Sequence, residues 1–367
     1  MNRRQFLKTS AAATAATASA GPIIIGAENK AGSKLPRVGS GEHTYECHHD
    51  WGQLPAGFEW QTTHNVAVDS HGLVYITHQA VGKGQLDTVV VFDPAGKSVR
   101  SFGKKWHAGG HGIDIRKEGG EEFAYLANMT TGGPVVKCSL TGEVVWEKGP
   151  PAESGKYQPR PNAKNAKKSA APPYRPTNVA FLSDGGFYVG DGYGSNYMHR
   201  YDHAGNWVKT FGGTGTADGQ FRTPHGQWVD SRGGTPVLVV CDRANARLQT
   251  FTLDGEYISK TEKGTVLFPA HIDIRGDVMM VPDLHTRISL FGKDNKPIVH
   301  LGEDPAWRER VVGSLSKKGV TPVRNQPKEW LPGKFVHPHD ACFDKDGNIY
   351  VAEWVATGRI TFLKKVG

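Results

Sequence analysis

At 367 residues, 38% hydrophobic and 22% charged, the chain can bury a large core and is not a disordered polymer. Its 46 glycines and 22 prolines indicate many turns, and with no run of about 18 apolar residues a polytopic membrane protein is excluded. The net charge of +8 is local: Arg3, Arg4 and Lys8 open the chain without an acid, a second acid-free basic run occupies 156–175, and the near-balanced remainder argues against a nucleic-acid partner.

The opening MNRRQFLKTSAAATAATASAGPIIIG has paired arginines, Phe6-Leu7-Lys8, a mildly apolar Ala/Thr run and a small-residue Ala18-Ser19-Ala20 cleavage site. This pattern predicts a twin-arginine export signal over residues 1–26 and a folded protein in the periplasm or outside the cell. No stable membrane span is expected beyond it. Cys138, Cys241 and Cys342 sit in apolar strand-like runs and read as free buried thiols. Cys47, beside His48 and His49, is the candidate for reactivity or pairing.

Residues 27–60 read as an N-terminal segment, and 61–367 as a repeat. Each unit has a Pro or His entry, a short apolar strand, often an Asp-x-x-Gly turn, and further alternating strands. The units open at His64, His111, Thr177, His225, Ala270 and His339, separated by 47, 66, 48, 45 and 69 residues. Four strands with turns occupy about 40–50 residues, the size of a propeller blade. The two long intervals hold insertions at 149–174 and 303–335, expected to be loops on one face. The last unit has room for three strands, so a strand near His43–Trp51 is expected to complete it and close the ring. The expected fold is all-β, a six-bladed β-propeller.

Alignment on the first strand places a histidine at one blade position in His64, His111, His225 and His339. Three of them, His111, His225 and His339, belong to blades 2, 4 and 6, about 120° apart around the channel. Three imidazoles with an open fourth position are the ligand set of a catalytic zinc. Taken singly, each histidine is also explained as a turn cap bonding a neighbouring carbonyl.

The stretches FRTPHGQWVD, VVCDRANARLQTF and RPTNVAFLSDGGFYVGDGYGSNYMHRYD resemble NHL-repeat propellers, and in particular the peptidyl-α-hydroxyglycine α-amidating lyase family. The similarity covers roughly residues 60–365. The resemblance implies zinc on His111, His225 and His339, a catalytic Tyr193 and a substrate-site Arg243. It also implies a structural calcium on Asp340, with the carbonyls of Val66 and Ile113 as its partners. One departure is His78-Gln79, where the family has His-Arg. The chemistry is coherent: zinc acidifies a carbinolamide hydroxyl, and Tyr193 takes its proton.

His64, His78, Gln79, His271, His285 and His337 are expected to line the pocket, with His337 an alternative ligand on the same strand face as His339. The favoured reading is an exported metal-dependent lyase, a monomer acting on a small-molecule or peptide substrate of carbinolamide type. A non-catalytic NHL module gripping a peptide, glycan or protein shares the fold. A lactone hydrolase needs an acidic calcium set that the histidine ring fits badly.

Overall fold

The Asp-x-x-Gly turns show how the sequence folds each sheet back on itself. In the first, the Asp69 carboxylate accepts the amides of His71 (2.9 Å) and Leu73 (2.8 Å), while Gly72 takes φ +84°, open to glycine at little cost. The computed structural model describes residues 35–81, 86–159 and 170–367. The export signal and the middle of the basic run at 156–175 lie outside the described residues.

The described residues from 37 to 367 form six antiparallel sheets, the blades of a β-propeller. Blades 1 to 5 are four-stranded and occupy 63–102, 110–148, 178–212, 224–260 and 273–301. Blade 6 combines Pro338–Phe343, Ile349–Glu353 and Arg359–Lys365 with two strands from the other end of the chain. His43–His48 pairs antiparallel with Arg359–Lys365, and Arg37–Ser40 adds a fifth, outermost strand. The N-terminal contribution is therefore a hairpin rather than one strand. Its inward residues Val38, Tyr45 and Cys47 pack with Leu301, Phe335 and Leu363, joining blades 5 and 6. The first strand of each blade lines the channel, so residues near its start meet at one mouth.

The insertion at 303–335 is not a plain loop. It contains helix α1, Pro305–Ser316, whose N-cap Asp304 accepts the Trp307 amide at 3.0 Å. Trp307 and Val311 anchor it on Val336 and Val355. Only Trp307, Val311 and Ser314 of its twelve residues are buried, too narrow a stripe to print a helical period on the sequence.

All four cysteines are free. Cys47 is buried with Sγ 3.4 Å from His49 Nε2, and burial pushes its thiol up to about 12, against the reactive reading.

Candidate metal centre at the channel mouth

In every blade that carries a histidine, the first strand bulges at that residue. The register with the second strand shifts between Thr63 and Val66, Gly110 and Gly112, Pro224 and Gln227, and Pro338 and Asp340. Blade 3 pairs without a shift over its named strands, whereas blade 5, with Ala270 at this position, carries the same extra residue between Pro269 and Asp273. A bulge re-aims a side chain that regular pleating would direct elsewhere. His64, His111, His225 and His339 thereby converge on the axis, all buried.

The rings of His111, His225 and His339 form a near-equilateral triangle with centroids 4.9, 4.8 and 4.6 Å apart. Each is oriented by the following blade. His111 Nδ1 donates to Thr177 O (2.7 Å), His225 Nδ1 to Ala270 O (2.6 Å) and His339 Nδ1 to His64 O (2.9 Å). A carbonyl only accepts, so the proton sits on Nδ1 and Nε2 keeps its lone pair. The turn-cap and ligand accounts are thus both met, by different nitrogens of one ring. Glycine after the histidine makes room for this contact, because a Cβ at Gly112 would meet Thr177 O at 2.5 Å and one at Gly226 would meet Ala270 O at 2.6 Å.

The Nε2 atoms of His111 and His225 stand 3.2 Å apart. Two lone pairs at that distance repel unless a proton or cation lies between them. Two nitrogens on a tetrahedral zinc, each at 2.0–2.1 Å, would be about 3.3 Å apart. His339 Nε2 is buried without a partner. The donor chemistry is that of a divalent metal site, with Nδ1 bonds of the kind that orient metal-bound histidines, and His64, His111 and His339 also place ring nitrogens within 4.8 Å of one another. Burial holds all three imidazoles well below the usual histidine range, in the neutral form a ligand needs.

His64 joins this cluster more closely than a pocket-lining role requires. Its ring lies 4.9 Å from His111 and 5.0 Å from His339. Its Nδ1 makes no hydrogen bond of regular geometry, although the Gly110 backbone of the next blade acts on the ring as a weaker counterpart of the other three braces.

Above the cluster, Tyr193 hangs from the DGYGSN loop. That loop winds around the buried Asp191 carboxylate, which accepts the amides of Arg175 and Ser195, each at 2.7 Å. The Tyr193 hydroxyl lies 3.3 Å from His111 Nε2 and 3.0 Å from His225 Nε2, and accepts Arg243 Nη1 at 3.2 Å. Arg243 and Arg175 cover its ring at 5.1 and 5.8 Å. Arg243 is buried and, among the described residues, forms no ion pair; its Nε is unpartnered.

These groups floor a cavity of about 540 Å³ whose walls include Gln79, His285, His337 and Trp354. His285 stacks on Phe268, and His337 bonds Leu284 O through Nδ1 at 2.7 Å, leaving Nε2 unpartnered. His337 does not enter the imidazole triangle.

Two expected lining residues lie elsewhere. His78 turns away under Phe58 and Trp60, its Nε2 donating to Asp87 O at 2.7 Å, because strand alternation gives the pocket side to Gln79. His271 sits one layer deeper, 2.7 Å from Asn178 Nδ2 and 3.6 Å from Asp340 Oδ1, beside a lower cavity of about 180 Å³. Asp340 is buried in that layer and accepts the amides of Val66 (2.9 Å) and Ala341 (2.8 Å). Burial, reinforced by Asp114 and Asp273, pushes its carboxyl well up.

Sequence reasoning missed Arg175 and Arg324, which also line the pocket. The first was absorbed into a basic run and the second into an insertion, and neither position belongs to the repeat.

Buried neutral histidines also predict acid lability. His199, bonded to Tyr157 and Thr210, and His49 are both held at about 3 by burial. Between pH 6.5 and 3 the unfolded chain binds the extra proton and the folded chain does not, so stability present above 6.5 is lost on acidification. Each such group contributes a slope of about 1.4 kcal/mol per pH unit. Thermal unfolding midpoints should fall steadily from pH 7 to 5; a flat profile would contradict the burial of these rings.

Fold and site together define a six-bladed β-propeller with an imidazole cluster at its channel mouth. In sequence, the chain is similar to peptidyl-alpha-hydroxyglycine alpha-amidating lyase 1 of Drosophila melanogaster, 29% identical over 194 residues, 49% of this chain and 33% of that protein. The match thus spans about a third of the relative's length. Residues 1–20 match the twin-arginine translocation pathway signal sequence, supporting export by that route. Among solved structures, a gluconolactonase from Xanthomonas campestris shares the fold with TM-score 0.57 and 11% identity, over 90% of this chain and 95% of that one. Virginiamycin B lyase from Staphylococcus aureus shares it with TM-score 0.51 and 14% identity, over 88% and 100%. Among the described residues, no helix is long and apolar enough to cross a membrane.

Proposed function

We propose that this exported propeller is a zinc-dependent lyase that splits a carbinolamide of the peptidyl-α-hydroxyglycine type into an amide and glyoxylate. The observation that carries the reading is the convergence of three Nδ1-anchored imidazoles directly beneath the Tyr193 hydroxyl and Arg243. His111, His225 and His339 would hold the metal. Zinc bound there supplies a Lewis acid that lowers the pKa of an alcohol directed at it.

The chain's own groups account for the proton. Tyr193 oxygen removes the carbinol proton, assisted by Arg243, whose guanidinium stabilises the phenolate. The freed oxygen pair becomes the aldehyde C=O, the C–N bond breaks, and the amide nitrogen takes the proton back from Tyr193. Atoms and charge balance without a further reactant. A calcium ion beside Asp340 would offset the buried carboxylates of Asp340, Asp114 and Asp273, and we assign it a structural role.

The test uses N-benzoyl-α-hydroxyglycine, with benzamide and glyoxylate as measured products. Tyr193→Phe should keep zinc yet lose about 10²–10⁴-fold in turnover, since only the proton acceptor is removed. Stoichiometric zinc without turnover of any carbinolamide would favour a partner-binding propeller instead.

A further inference from the structure

The pocket wall carries three arginines, Arg175, Arg243 and Arg324, and no aspartate or glutamate. Among the described residues the three guanidinium groups form no ion pair and donate only to carbonyl and hydroxyl oxygens. Arg243 is committed to the Tyr193 hydroxyl, and Arg175 Nε to Met129 O at 2.8 Å. Arg324 is different. It comes from the insertion between blades 5 and 6, where its carbonyl accepts the Ala356 amide at 3.1 Å. Its guanidinium lies on Trp354, 3.4 Å from the ring centroid, and Nε donates to Trp354 O at 3.1 Å. One edge is thereby fixed, and the Nη edge reaches toward Thr62, with Nη2 3.5 Å from its hydroxyl. Thr62 O in turn accepts the amide of Gln79. Burial lowers Arg324 to about 10, which leaves it cationic at neutral pH.

A planar fork held flat by an aromatic ring, without an acidic partner, beside a hydroxyl and an amide side chain, matches a carboxylate. We propose that Arg324, with Thr62 and Gln79, forms the subsite that binds the substrate's carboxylate, so that the insertion rather than the propeller repeat makes the enzyme select acids. This deepens the lyase reading, in which the carboxylate is that of the hydroxyglycine. It also places the cation opposite Tyr193, on the rim between blades 6 and 1, and leaves Arg243 free to serve the phenol.

Binding separates the two claims. Hippurate (N-benzoylglycine) carries the carboxylate but lacks the hydroxyl and cannot react; hippuramide is its neutral counterpart. Calorimetry on the mature protein should show hippurate preferred about 10–100-fold, the range of a charged hydrogen-bonded pair. Arg324→Gln should bind hippuramide as before and lose the preference, and Arg324→Lys should regain part of it. Repeating the titration after EDTA treatment should leave the preference intact. A preference that survives in Arg324→Gln, that is absent from the natural protein, or that disappears with the metal would overturn the assignment. Loss in Arg324→Gln together with no turnover of N-benzoyl-α-hydroxyglycine by the natural protein would keep the subsite and reject the lyase.

Discussion

Alanine at His111, His225 or His339 should abolish stoichiometric zinc and reduce lyase turnover to background, a loss of at least about 10³-fold. Each ring is one corner of a triangle with edges of 4.6 to 4.9 Å, so removing one leaves two imidazoles and water. The three variants should be equivalent, because each ligand is braced alike by a carbonyl of the next blade. His64→Ala is the discriminating control. Its Nδ1 makes no hydrogen bond of regular geometry, and its carbonyl, which holds His339, survives the substitution. Zinc should therefore remain in His64→Ala. Elemental analysis of the four metallated variants decides the matter: retention of zinc in any of the first three, or its loss in His64→Ala, would require a different ligand set.

Deleting residues 27–50 should destroy cooperative folding. The deletion strips two strands from blade 6 and leaves Arg359–Lys365 as a bare edge. It also removes Val38, Tyr45 and Cys47 from the cluster joining blades 5 and 6. Burying one large side chain is worth about 1.5–3 kcal/mol, and a domain has only about 5–15 kcal/mol to lose. Aggregation or a non-cooperative melt is the expected result. A deletion variant melting within a few degrees of the natural protein would show that the hairpin is an accessory. Tyr45→Ala, milder at about 3–5 kcal/mol, should shift the melt without abolishing it.

Strand alternation and turn chemistry are written locally, so six blades and the alternate-blade histidines were legible. The geometry that aims those histidines was not. A bulge is a disagreement between two strands, and nothing in PHG or GHG alone announces it. The same limit explains His78 and Gln79, adjacent residues whose sides of the sheet depend on where pairing starts. Arg324 lay deeper out of reach. Its role comes from a chain path through α1 and a stacking partner thirty residues away, neither of which repeats. Asp340 was legible as a buried acid beside a ligand, but not as an acceptor of the Val66 amide.

The bonds from Nδ1 to the neighbouring carbonyl give the centre a circumferential character. Blades 2, 4 and 6 supply the imidazoles, while blades 3, 5 and 1 supply Thr177, Ala270 and His64 as braces. Every sector of the ring therefore touches the centre, either as donor or as brace. An ion held by these three rings is then thermodynamically linked to whole-ring closure: whatever it gains on binding the closed ring is added to the work of springing any one sector open. Conversely, a weak junction on the rim, far from the axis, registers as faster ion release. In a protein bearing a twin-arginine signal, an ion bound at this centre would act as a lock on the assembled toroid during passage.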